Sequence, residues 1–145
     1  MSASRILKKI KEIEESLELI EENLPDSEKD FRELGLVKDG IYKRLEFCIQ
    51  NIIDILSMIY SEENLGVPST IDDILLGLGR KKIFSKEIVL LVSQMKGMRN
   101  ILTHRYGEIN DSLVYEQLTE NLSDFHKLIS AVEKHLSKCS RLHKS

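Results

Sequence analysis

The sequence is poor in the residues that interrupt helices or staple small folds. In 145 residues it has no tryptophan, two prolines, two cysteines and seven glycines, and aromatics make up 6%. Few breakers beside many Glu, Lys, Leu and Ile residues favour helix over sheet. Cys48 and Cys139 form neither a CxxC pair nor a spaced framework, which excludes a disulfide scaffold. No apolar run approaches the roughly 20 residues of a membrane span, so no membrane partner is expected. The first residues are polar and Leu7 is followed by lysines. No leader is expected, and the setting expected is reduced and cytoplasmic. No strand-type alternation and no fixed-period repeat occurs.

What is present is helical rhythm. Ile6, Ile10, Ile13, Leu17, Ile20 and Leu24 are spaced 4, 3, 4, 3, 4, a seam that predicts a helix from about Ser4 to Leu24. Pro25 ends it. Ile41, Leu45, Cys48, Ile52, Ile55 and Ile59 repeat that spacing. They predict one long helix from about Ser27 to Ser61, bent near Gly35 and Gly40. Cys48 then falls on the apolar face as a buried thiol. A short helix is predicted from Ser69 or Thr70 to a stop at Gly77 or Gly79. Ser85 opens a fourth helix, with Met95 and Met98 as core filler and Gly107 as its stop. Asn110 or Asp111 opens a fifth, whose apolar positions run from Val114 to Leu136. The expectation is an all-α, up-and-down bundle of four to five helices in one domain, 1–145, with 136–145 a frayed tail.

The net charge of −3 does not mark a nucleic-acid binder. The charge is uneven, however. Residues 12–33 hold ten acids against two bases, and no acid follows Glu133. The stretch "GLGRKK" lacks the GxxxxGK[ST] spacing of a phosphate loop and reads as a helix stop followed by solvated bases. His135, Cys139 and His143 share a helical face at i, i+4, i+8. They lack a fourth ligand, so no metal is assigned and the segment reads as a solvated tail. His126 reads as a surface or groove residue.

The chemistry concentrates in "MRNILTHRYG", residues 98–107. Arg99 and His104, five apart, diverge by about 140° on a straight helix, whereas Asn100 and His104 share a face. The cluster therefore needs a helix that opens near His104, another surface, or a second copy of the chain. An arginine forks onto phosphate and a histidine moves protons near neutrality. Metal-independent RNA cleavage needs both acts. On residue types alone, Arg and His at a helix C-terminus are also plain dipole partners.

"MRNILTHRYGEINDSLVYE" resembles the signature of the HepT-like toxins of the HEPN superfamily (higher eukaryotes and prokaryotes nucleotide-binding). Their form, R-N-x-x-x-H-x-Y, falls here on Arg99, Asn100, His104 and Tyr106. The resemblance implies a HEPN-like bundle and a metal-independent endoribonuclease toxin of a type II/VII-like toxin–antitoxin pair. It implies a homodimer with facing motifs, an RNA substrate, no cofactor, and a small nucleotidyltransferase antitoxin that AMPylates Tyr106. Arg99 and His104 would be catalytic, with Asn100 supporting them. Arg105 has no fixed role in the family and is read as an added phosphate contact. The alternative reading is a non-catalytic HEPN interaction module that binds a nucleotidyltransferase or nucleotide.

Overall fold

A computed structural model describes residues 2–144, except for the side chains of Ser2, Tyr106 and residues 140–144. Among the described residues it is all-α, as the periodicity requires. There are seven α-helices: α1 (Ser2–Asn23), α2 (Glu28–Arg32), α3 (Leu36–Glu62), α4 (Ile71–Arg80), α5 (Lys86–His104), α6 (Asp111–Glu120) and α7 (Ser123–Lys144). A 3-10 turn, Tyr106–Glu108, links α5 to α6.

The two heptad seams form the centre. Ile6, Ile10, Ile13, Leu17 and Ile20 of α1 are buried against α3, whose own seam from Ile41 to Ile59 is buried throughout. Each such aliphatic side chain contributes about 1.5–3 kcal/mol of transfer free energy. The pairs Lys9–Asp54, Glu12–Asn51 and Ser16–Arg44 show that α1 runs antiparallel to α3. Cys48 is fully buried, and desolvation pushes its thiol up to about 12, so it packs as an apolar group.

Several boundaries differ from the sequence expectation. The segment 27–61 is not one bent helix. Ser27 caps the five-residue α2, and Gly35, at φ +62°, reverses the chain before α3 begins. Phe31 is the reason for the break. It is fully buried, with ring centroids 5.9 Å from Tyr42 and 5.2 Å from Tyr115, and a continuous helix would not deliver it there. Helix α4 passes through both Gly77 and Gly79 and ends at Arg80, with Lys82 at φ +56° making the turn. Gly77 serves packing, not stopping: a Cβ there would lie 2.6 Å from Tyr60 Cε2.

Helix α5 ends at His104, so Gly107 lies inside the 3-10 turn and is not the stop. The segment from 110 to 136 is two helices, broken at Asn121–Leu122. The Asn121 amide N–H reaches Gln117 O, and its side chain donates to Gln117 Oε1 at 2.8 Å. The described residues therefore form seven α-helices where four to five were expected. Helix α7 runs to Lys144, and of the tail 136–145 the side chains of residues 140–145 lie outside the described residues. Leu136 packs against the core, and His135 and Cys139 meet the end of α3.

Candidate active site at the end of the fifth helix

Ser85 caps α5 by accepting from the Ile88 amide at 3.2 Å, and the helix then runs antiparallel to α3. That pairing fixes which side chains face inward. Arg99 and Thr103, four apart, both turn toward α3. Arg99 Nη1 donates to Gln50 Oε1 at 3.1 Å, and Thr103 Oγ1 donates to Glu46 Oε1 at 2.9 Å. Asn100 is half-buried, and His104 and Arg105 are exposed. The structure thus keeps Arg99 and His104 on different faces, as the five-residue offset demands.

The arginine is held by a relay. Gln50 Nε2 donates to Asp54 Oδ1 at 2.8 Å, and Asp54 Oδ2 pairs with Lys9 Nζ at 3.6 Å. The amide of Gln50 is oriented by both neighbours, since its oxygen must face the guanidinium and its nitrogen the carboxylate. Arg99 Nε is buried and has no hydrogen-bond partner in the chain. Leaving a buried donor unpaired costs about 1–3 kcal/mol, so an orphan on an otherwise anchored guanidinium points to a missing acceptor.

At His104 the α-helix gives way. Arg105, at φ −124° and ψ 37°, caps α5, its N–H reaching Ile101 O at 3.0 Å. Glu108 N then donates to Arg105 O at 2.8 Å, closing the 3-10 turn. His104 is therefore presented at the open end of the last turn.

Residues 13–132 of the chain match the family described as Ribonuclease HepT-like. The chain belongs to that family. It is 26% identical over 128 residues to the mRNA nuclease HepT of Shewanella oneidensis, spanning 88% of this chain and 96% of that one. Its fold is similar to that of the tri-AMPylated Shewanella oneidensis HEPN toxin solved in complex with its MNT antitoxin. That pair aligns at TM-score 0.81 and 26% identity, over 89% of this chain and 96% of the other. The fold is also similar to YutE from Bacillus subtilis, a cytosolic protein of unknown function, at TM-score 0.74 and 18% identity, covering 94% and 91% of the two chains.

In this HepT-like chain, Tyr106 opens the 3-10 turn two residues after His104, and its side chain lies outside the described residues. The side chain of His143 lies outside them as well. A cavity of about 600 Å³ opens among α3, α5, α6 and α7, lined in part by Leu45, Met95, Met98, Leu118 and Phe125. None of Arg99, Asn100 and His104 lines it, and its mostly apolar wall offers little to a phosphate. The motif's hydrogen-bond donors lie instead at the end of α5. Sequence reasoning missed Gln50, Asp54, Glu46 and Thr103. The signal was available: Glu46, Gln50 and Asp54 form an i, i+4, i+8 polar row on a helix otherwise rich in isoleucine.

Proposed function

We propose that the chain is an endoribonuclease toxin controlled by a nucleotidyltransferase partner. The observation that carries this reading is Arg99: a guanidinium anchored at Nη1 by Gln50, with Nε buried and unpaired, five residues before an exposed histidine at an opened helix end. Family membership and the relatives named above support it.

In this mechanism Arg99 receives the scissile phosphate and stabilises the charge added in the pentacoordinate state. The 2′-hydroxyl loses its proton to a base and attacks phosphorus. The bond to the 5′-oxygen breaks, and that oxygen leaves with a proton. The products are a 2′,3′-cyclic phosphate and a 5′-hydroxyl. One His104 performs one transfer, and the His104 of a second copy in a homodimer performs the other. Asn100, one helical turn before His104, orients the imidazole or bonds the substrate. Arg105 adds a phosphate contact from the exposed side. The cytoplasm, where RNA and a nucleotidyltransferase meet, is the proposed setting. No described helix is long and apolar enough to cross a membrane.

Control falls on Tyr106. Its phenol oxygen attacks the α-phosphorus of ATP in the partner's site, pyrophosphate leaves, and a phosphodiester-linked AMP remains. The added negative charge and bulk beside His104 repel an RNA backbone.

The test is expression of the chain alone and with a small nucleotidyltransferase encoded beside it. The reading predicts growth arrest alone, relief by the neighbour, and an intact-mass increase in AMP steps that Tyr106→Phe abolishes. Relief without any mass increase would overturn the tyrosine mechanism. No arrest, with a stable complex still forming, would favour the non-catalytic module.

A further inference from the structure

We propose that Glu63, His135 and Cys139 form a binding site for a four-coordinate divalent transition metal, of which Zn²⁺ is the natural occupant, joining the end of α3 to α7. The three side chains come from helices far apart in sequence. Glu63 caps the C-terminus of α3, and Asn64, at φ +56°, turns the chain away. His135 and Cys139 are four apart on α7 and so share a face.

Both separations from the His135 imidazole match the edges of a coordination tetrahedron. His135 Nε2 lies 3.4 Å from Glu63 Oε1 and 3.5 Å from Cys139 Sγ, and all three ligand atoms lie within 4.8 Å of one another. Zn–N and Zn–O bonds of about 2.0–2.2 Å and a Zn–S bond of about 2.3 Å give tetrahedral edges of about 3.3–3.6 Å. A carboxylate, an imidazole and a thiol are also the donor types that Zn²⁺ selects.

The surroundings suit a cation and a fixed ring. The His135 side chain is only 13% exposed, and its ring stands 5.9 Å from that of Phe84. Binding displaces the thiol proton to solvent, and water takes the fourth position. The unmetallated alternative is a His–Glu ion pair with a weak sulfur contact at the same Nε2, and the titration below separates the two.

The site is separate from the proposed catalytic end. Glu63 lies 13 residues beyond Gln50 along α3, about 20 Å at 1.5 Å per residue. The metal therefore serves as a staple that holds α7 to the bundle, not as a participant in RNA cleavage.

The test is titration of the metal-free full chain, carrying no affinity tag, with Co²⁺ as a spectroscopic probe and Zn²⁺ as competitor. Expected are one Co²⁺ per chain, a thiolate-to-cobalt charge-transfer band with the intense visible bands of four-coordination, and displacement by Zn²⁺. Cys139→Ser abolishes the charge-transfer band, Cys48→Ser keeps it, and His135→Ala and Glu63→Gln each weaken binding at least about tenfold. Zn²⁺ raises Tm in the wild type but not in Cys139→Ser, with circular dichroism of the metal-free proteins confirming that both are folded. Absence of the charge-transfer band, its survival in Cys139→Ser, or unchanged affinity in both His135→Ala and Glu63→Gln would overturn the site.

Discussion

At the scale of single residues, the site depends on how Arg99 is held. Gln50 touches no reacting atom in the proposed mechanism, yet it fixes the guanidinium and is itself fixed by Asp54. Gln50→Leu removes the anchor and frees Arg99 to rotate. We expect kcat for RNA cleavage to fall by about ten- to 100-fold, with KM and Tm little changed. Equal losses in kcat and Tm would mean that Gln50 only supports the fold. A second residue-scale device is Asp111. Burial alone would raise its pKa, but hydrogen bonds from Tyr42 and Lys38 and the charges of Lys38 and Arg32 outweigh this and lower it. A lowered folded pKa stabilises the protein fully above the ordinary aspartate value of 3.8, and the contribution is lost as pH falls through the lower folded value. Tm measured from pH 6 down to about 2 should therefore drop more steeply below that value in the wild type than in Asp111→Asn. The Asn variant should be the less stable of the two near neutrality.

At the scale of elements, the sequence was informative about helix faces and poor about helix ends. The 4, 3, 4, 3, 4 seams of α1 and α3 announce their buried faces directly, because burial on one face leaves a period in the sequence. The ends did not follow, because long-range packing set them. Phe31 breaks the expected long helix by reaching Tyr42 and Tyr115. Gly77, which reads as a helix stop, lies inside α4 because Tyr60 occupies the space of a side chain. Alanine favours helix over glycine by about 1 kcal/mol, but overpacking costs about 1–3 kcal/mol. Gly77→Ala should therefore lower stability by up to about 2 kcal/mol in denaturant unfolding. An increase would mean that the Tyr60 ring moves aside freely. The motif shows the same division. Arg99, Asn100 and His104 stand out by residue type, and the five-residue offset already separates Arg99 from His104. The relay through Gln50 and Asp54 stayed hidden because it begins 49 residues away from the motif arginine, at Gln50 on another helix. The possible ligands on α7 were visible as His135 and Cys139, but Glu63, on another helix, was not.

At the scale of the whole molecule, the chain is a helical bundle of the Ribonuclease HepT-like family that offers its polar motif at one helix end and not in the apolar cavity among α3, α5, α6 and α7. One chain presents one His104, whereas the proposed reaction needs a proton removed and a proton supplied. The activity should therefore follow the dimer population: diluting the protein through its dimer dissociation range should lower cleavage per chain, as followed by sedimentation and by product formation. Constant specific activity down to a monomer would contradict the two-copy mechanism. The central claim, that Arg99 and His104 cleave RNA, is tested most directly by incubating the purified chain with single-stranded RNA in chelator and reading the products. The account predicts 2′,3′-cyclic phosphate ends from the wild type and rates at least about 100-fold lower from folded Arg99→Ala and His104→Ala proteins. Full activity in either variant would contradict it.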